Sequence, residues 1–508
     1  LPLRSPGFGT ETVKSARDKE GKPVGTKTGR LIVASNRGAY KIHETPQGIE
    51  TVPAISGLVS AVEPLLKELK GLWIAWGGRE AAPGGSPPLR LRVPADDPCY
   101  TFIEVPLTAE EIERYYYGFA NNALWPLCHY FLEKCHYRLE DWNAYVQVNH
   151  KFSHIILNEA QPGDLLWIND YHLALLPSLI RYSKPRLKQF FFWHIPFPHP
   201  DLFGTLPWAP HILRGLLGAD VLGFHLNSYV DNFLHGVAAL VGAPVDFKRK
   251  IVYWQKRRIQ LGAWPMGIDF EEFQSLARDP GVKKLASQLR KDIGTEKILL
   301  SVERLDYTKG VMEKLLAWEK LLEEKPEWVG RASLLQIAVP SRTCCPAYRE
   351  LKKGVEAAVG RINGRFSEGT YRPVHYFWKG LPRAELVSYY MAADVMLVTP
   401  LRDGLNLVAK EYVASRLDGT GVLVLSRFAG AAQDLKDALL VNPYDLAAMV
   451  RTMDMALRLS LEEQEERMAL LQEKVRRYDS RWWLSRFQQA VMSLEEDASE
   501  DFSETASS

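Results

Sequence analysis

Short apolar runs of about five residues, mostly unalternated, recur along this chain between longer amphipathic stretches. A first series comprises Leu31–Ser35, Leu72–Trp76, Leu165–Asn169, Gln189–His194 and Val221–His225. A second comprises Ile298–Val302, Leu334–Val339, Val374–Trp378, Val395–Thr399 and Val422–Ser426. Runs that stay apolar at consecutive positions predict strands covered on both faces, as in a parallel sheet. Between them, Thr108-Ala-Glu-Glu111 has the form of a capping box opening a helix that carries Tyr115–Tyr117. Leu386–Ala393 and Leu407–Leu417 predict further helices. Strand and helix alternating in two series predict the α/β class, with two doubly wound domains facing across a cleft. Proline and glycine punctuation over Pro265–Pro280 marks the break, giving domains at 30–270 and 271–477. Leu1–Gly29 and the acidic, serine-rich segment 496–508 read as disordered tails.

Composition narrows the class. At 508 residues the chain is long enough for two ordinary cores. Its 63 basic and 61 acidic residues leave a net charge of +2, with no global field for nucleic acid or an anionic membrane. Anion binding must therefore come from local clusters. The five cysteines form no C-x-x-C pair and fit a reducing compartment. No apolar run approaches the ~18 residues that span a bilayer, and Leu1–Gly29 has no apolar h-region. The expectation is a soluble cytoplasmic protein, with homo-oligomerisation left open.

Polar residues gather just beyond the predicted strands, where ligands of such sheets bind. Arg37 follows the first, Asp170 and His172 follow the third, and His194 closes the fourth. In the second half Arg304 and Lys309, then Arg342, then Asp403 and Asn406 take the equivalent places. Each has a plain alternative. Arg304 beside Asp306 suits a surface ion pair, His194 among aromatics suits a satisfied core histidine, Asp170 suits a turn cap, and Glu411 suits a solvated helix face. Taken together they describe anion handling. Arg304 and Lys309 sit on a turn entering a helix, where free N–H groups favour phosphate and two cations stabilise a departing diphosphate. Arg37 and Arg342 offer a second cationic pair, so two phosphate sites are expected. Glu411, about two helical turns beyond Asp403, is placed to accept ribose hydroxyls.

Several segments resemble the trehalose-6-phosphate synthase family: Ser35-Asn-Arg37, Leu124-Trp-Pro126, Asn169-Asp-Tyr-His172, His194-Ile-Pro-Phe-Pro198, Ser301-Val-Glu-Arg-Leu-Asp-Tyr-Thr-Lys-Gly310, Gly360-Arg-Ile-Asn-Gly364, the block Thr399–Glu411 and Leu425-Ser-Arg-Phe-Ala-Gly430. The resemblance covers roughly residues 30–495. It implies a GT-B architecture of two Rossmann-like domains and a retaining transferase with no metal or other cofactor. Glucose would pass from UDP-glucose to glucose 6-phosphate. By position it implies Arg304 and Lys309 on the donor diphosphate, Glu411 on the ribose, and Asp403 and His194 on the transferred glucose. Gly57, Gly404, Leu405, Asn406 and Leu407 complete the donor site. Arg37, Tyr116, Trp125 and Arg342 would hold the acceptor phosphate, and Asp170 and Trp76 the acceptor sugar. His194, Arg304, Lys309, Asp170 and Asp403 would carry the catalysis. A last helix at about 478–495 would pack back on the first domain.

The chain departs from the family at Ser56-Gly57, where a Gly-Gly pair is usual, and in the loop Gly38–Ile55. Both border the acceptor. The competing readings are a glucosylglycerol-phosphate synthase using glycerol 3-phosphate and a catalytically silent sugar-phosphate-binding homologue. A nicotinamide dehydrogenase would need a G-x-G-x-x-G turn, which does not occur.

Overall fold

The computed structural model describes residues 29–46, 48–54, 57–343 and 345–490. The predicted tails apart from Gly29, Ser56, and the end of the last helix lie outside them. No helix among the described residues is long and apolar enough to cross a membrane.

Seven parallel strands form the body of the first sheet: β1 (Leu31–Arg37), β2 (Leu72–Trp76), β3 (Tyr100–Glu104), β4 (Leu165–Asn169), β5 (Lys188–Phe192), β6 (Val221–Phe224) and β7 (Arg257–Ala263). Their order across the sheet is β3-β2-β1-β4-β5-β6-β7, with antiparallel strands at both edges. The second sheet holds β8 (Lys297–Arg304), β9 (Ala332–Val339), β10 (Val374–Phe377), β11 (Val395–Val398), β12 (Val422–Ser426) and β13 (Leu439–Val441). It is wholly parallel, in the order β10-β9-β8-β11-β12-β13. Each sheet thus starts at its middle, winds outward one way, then reverses. The reversal leaves a crevice beside β1 and β4 in one domain, and beside β8 and β11 in the other.

The ten predicted strands are all present. β3 and β7 were not predicted, since each mixes polar or small residues into its run, nor was β13, which is only three residues long. Burial explains the unalternated pattern. In β1, Ile32 and Ala34 join one core and Leu31 and Val33 the other. In β8, Leu300 and Leu299 divide in the same way.

Thr108 and Glu111 do form the capping box, with Glu111 N–H donating to Thr108 Oγ1 at 3.3 Å and Thr108 N–H to Glu111 Oε2 at 2.9 Å. The helix that follows is not an α-helix, however. After a single α turn it continues as a π-helix over Ile112–Leu124. Its wider winding places Tyr115 in the core, donating to Asn36 Oδ1 at 3.0 Å, and Tyr116 at the cleft. π-Helical turns of this kind concentrate at functional sites.

The chain crosses between domains twice, side by side. A Cβ on Gly267 would lie 2.1 Å from the Asp479 carbonyl carbon, and Ser480 N–H donates to Ile268 O at 2.9 Å. From there residues 480–490 run helically across the first sheet. Phe487 stacks on Trp167 with centroids 4.1 Å apart, and Trp483 meets Trp167 and Phe192.

Candidate active site

On the second-domain side the site begins where β8 ends. Arg304 is exposed there, while Asp306 is fully buried and caps the next turn, accepting from Thr308 N–H at 3.0 Å. Gly310 then turns with φ 65°, and its missing Cβ leaves room for the Thr399 carbonyl, 2.5 Å from where a Cβ would stand. Only glycine allows both at once. Helix Val311–Glu324 starts here and aims its free N–H groups at the crevice.

Lys309 and Asp403 meet directly, Nζ to Oδ2 at 2.6 Å. Asn406 Nδ2 donates to the same oxygen at 3.0 Å, and Asn406 Oδ1 caps the helix Leu407–Ser415 through Ala409 N–H. Burial opposes ionisation of Asp403, but the Lys309 ammonium prevails and holds its carboxyl below the usual range. Glu411 accepts from Tyr390 OH at 2.8 Å, and burial raises its carboxyl. Leu405 and Leu407 turn their side chains into the core. Gly57 packs against Leu407, whose Cδ1 lies 2.3 Å from an added Cβ.

From the first domain, Arg37 lies 3.7 Å over the Trp76 ring and 5.4 Å from the Tyr116 ring. Trp125 faces both Arg304, at 5.2 Å, and Arg342, at 4.4 Å. Burial pushes the Tyr116 phenol up, yet the guanidinium groups of Arg342, Arg37 and Arg304 outweigh it and hold the phenol below its ordinary value. All three arginines therefore converge on one point. The surface pair between Arg304 and Asp306, the plain alternative for these residues, is not formed. Asp306 bonds Arg342 Nη1 at 3.0 Å and Tyr348 OH at 2.9 Å instead, leaving Arg304 turned to the cleft.

Asp170 sits at the end of β4 with φ 73°, a conformation rare outside glycine. It accepts from Tyr171 N–H at 2.9 Å and His194 N–H at 3.1 Å. Burial nevertheless pushes its carboxyl up to about 7. His194 Nε2 is 3.0 Å from Asn169 Oδ1. Burial, with His225 beside it, keeps the ring neutral. His194 is thus both packed in the core and partly open to the cleft.

Trp125 Nε1, Arg342 Nε, Asn36 Nδ2, His172 Nδ1 and Thr399 Oγ1 are buried with no partner among the described residues. Unmet buried polar atoms gathered round one cleft suit a polar ligand that satisfies some of them.

Three contacts were not foreseen from the sequence. Arg383 donates to Ser60 Oγ across the cleft at 2.6 Å. His172 stacks on Tyr116, and His129 donates from Nδ1 to Trp125 O at 2.7 Å. His172 was already singled out at the end of β4, and His129 lies beside the Leu124–Pro126 block; the partner of Arg383 carries no such signal.

Two Rossmann-like domains with cations and carboxylates facing across the crevice define a nucleotide-sugar glycosyltransferase. The chain belongs to glycosyltransferase family 20, whose pattern matches residues 29–493. It is 41% identical over 479 residues to a bifunctional trehalose-6-phosphate synthase/phosphatase of Thermoproteus tenax, covering 91% of this chain but only 64% of that protein. It is 41% identical to a trehalose-6-phosphate synthase of Mycobacterium avium, covering 91% of this chain and 95% of the other. In three dimensions it resembles a UDP-forming α,α-trehalose-phosphate synthase from Burkholderia xenovorans in complex with glucose-6-phosphate. There the TM-score is 0.84 at 33% identity, over 91% of this chain and 100% of that one.

Proposed function

We propose that this chain transfers glucose from UDP-glucose to glucose 6-phosphate, giving trehalose 6-phosphate and UDP with retention at the transferred carbon. The observation that carries it is the convergence of Arg37, Arg304 and Arg342 on Tyr116, beside the Lys309–Asp403 pair. One side takes the leaving diphosphate and the other a phosphorylated acceptor.

Arg304, Lys309 and the N–H groups of helix Val311–Glu324 stabilise the charge that builds on the diphosphate. The bond from the sugar's anomeric carbon to the diphosphate breaks, and the bond to the acceptor hydroxyl oxygen forms on the same face. The acceptor's proton passes to the departing diphosphate oxygen. Asp403 and neutral His194 hold the transferred glucose, and Glu411 the ribose. Asp170, poised near neutrality, hydrogen-bonds the acceptor sugar next to Trp76, while Arg37, Arg342 and Trp125 hold its phosphate. Both substrates are water-soluble phosphate esters, which suits a cytoplasmic enzyme.

Glucose 6-phosphate is preferred to glycerol 3-phosphate because the Burkholderia relative is named with that acceptor bound. The test is a product assay by mass, pairing UDP-, GDP- or ADP-glucose with either acceptor. A disaccharide phosphate from UDP-glucose and glucose 6-phosphate is expected. Nucleotide release with no donor and acceptor combination would refute the proposal.

A further inference from the structure

Beside Asp403, Arg402 makes a contact that the transfer chemistry does not call for. Its guanidinium carbon lies 3.7 Å above the ring of Tyr130, which belongs to the first domain, and 5.9 Å from the ring of Phe428, which belongs to the second. No carboxylate among the described residues pairs with Arg402. Its neighbours are two aromatic faces, one from each domain.

Tyr130 is held in place for this. It has φ 69°, its N–H donates to Leu127 O at 3.1 Å, and its hydroxyl accepts from His199 N–H at 3.3 Å. It stands two residues beyond helix Trp125–Cys128, so it shares a short segment with Trp125. On the other side Leu401 N–H donates to Thr308 O at 2.8 Å, and Asp403 N–H to Phe428 O at 3.0 Å. Arg402 is thereby fixed between the turn that carries Lys309 and the residue that pairs with it. Close by, a Cβ on Gly404 would stand 2.5 Å from His194 O. The spacing of the domains at this point therefore sets how His194 and Asp403 face each other.

We propose that Tyr130 and Arg402 are positioning residues: Arg402, clasped between Tyr130 and Phe428, holds the two domains at the spacing where His194 and Asp403 act on one donor sugar. This rests on the glucosyl-transfer reading above. Domains joined by crossing segments and a limited interface move relative to one another unless that interface restrains them. A cation over an aromatic face is the size of restraint that still permits opening for product release: it shifts the closed population by about 2- to 30-fold.

The experiment compares Tyr130→Ala, Tyr130→Phe, Arg402→Ala and the double alanine variant with the parent, all as full chains. Small-angle scattering with UDP bound reads the domain spacing. Steady-state transfer to glucose 6-phosphate reads kcat/KM, and thermal midpoints show that every variant is folded. Both alanine variants are expected to enlarge the radius of gyration and lower kcat/KM by about 2- to 30-fold. Tyr130→Phe, which keeps the ring face, stays near the parent in both, and the double variant is no worse than either single one. Alanine variants with the parent's spacing or kcat/KM overturn the proposal, as does a phenylalanine variant that fails like alanine, or additive losses in the double. If the parent transfers glucose to no acceptor, the functional reading falls, and the scattering comparison still decides the role of this pair.

Discussion

Arg342 and Asp306 form a buried ion pair at 3.0 Å, with side chains 5% and 0% exposed. Asp306 caps the turn that presents Lys309, and Arg342, at φ 46°, faces Trp125 and Tyr116. One carboxylate therefore ties the turn that carries Lys309 to Arg342 and the aromatic wall it faces. Losing one partner of a buried pair leaves an unpaired charge and costs about 3–5 kcal/mol. Asp306→Asn is expected to lose about that much stability in urea denaturation. The double variant Asp306→Asn/Arg342→Gln should lose less than the sum of the single changes.

Arg304 is exposed and free of Asp306, so its substitution separates chemistry from folding. Arg304→Ala should lower kcat by about 10²–10³-fold and move stability by no more than about 0.5 kcal/mol. Steady-state kinetics and a thermal scan on the same sample check both halves. A large fall in the midpoint would make Arg304 structural.

Asp170 carries a pH signature. Burial raises its folded-state value from 3.8 to about 7, so the folded state binds its proton more tightly than the unfolded chain does. Its favourable contribution is complete below pH 3.8 and is lost as pH rises towards about 7. Asp170→Asn keeps an oxygen for the N–H groups of Tyr171 and His194 without the buried charge. The variant's thermal midpoint should therefore fall less than the parent's over that window. Turnover should fall with it if Asp170 is the carboxylate partner of the acceptor, as proposed.

Gly404→Ala tests how close the domains must come. The added Cβ meets His194 O at 2.5 Å and Ile195 Cα at 3.0 Å, backbone atoms that cannot turn aside. The expected result is a loss of about 10²-fold in kcat/KM, as for a displacement of about 1 Å, with each domain's fold intact by circular dichroism. In Gly57→Ala the clash is with the Leu407 Cδ1 methyl, a side chain that can rotate, so its loss should be smaller.

Much of this was legible in the sequence. Parallel strands covered on both faces write themselves as unbroken apolar runs, and the polar residues ending β1, β4, β5, β8 and β11 marked the site. β3 was missed because Thr101 and Glu104 interrupt its run although both are buried. The π-helix was missed because one extra residue per hydrogen-bonded ring hardly changes the spacing of Tyr115 and Phe119. The partner of Asp306 was not legible because the nearest cation in the chain, Arg304, is not the nearest in space.

By itself the sequence determined the two-domain α/β class, the strands and the cations and carboxylates that end them. Those features arise from local patterning that each segment carries within itself. Only the tertiary structure decided that Asp306 pairs with Arg342, that Ser60 meets Arg383 across 323 positions, and that Tyr130 covers Arg402. Such partners are chosen by the reversal of strand order in each sheet and by the closeness of the two domains. Both emerge only when the whole chain packs, because the free energy that selects a partner comes from burial shared among distant segments.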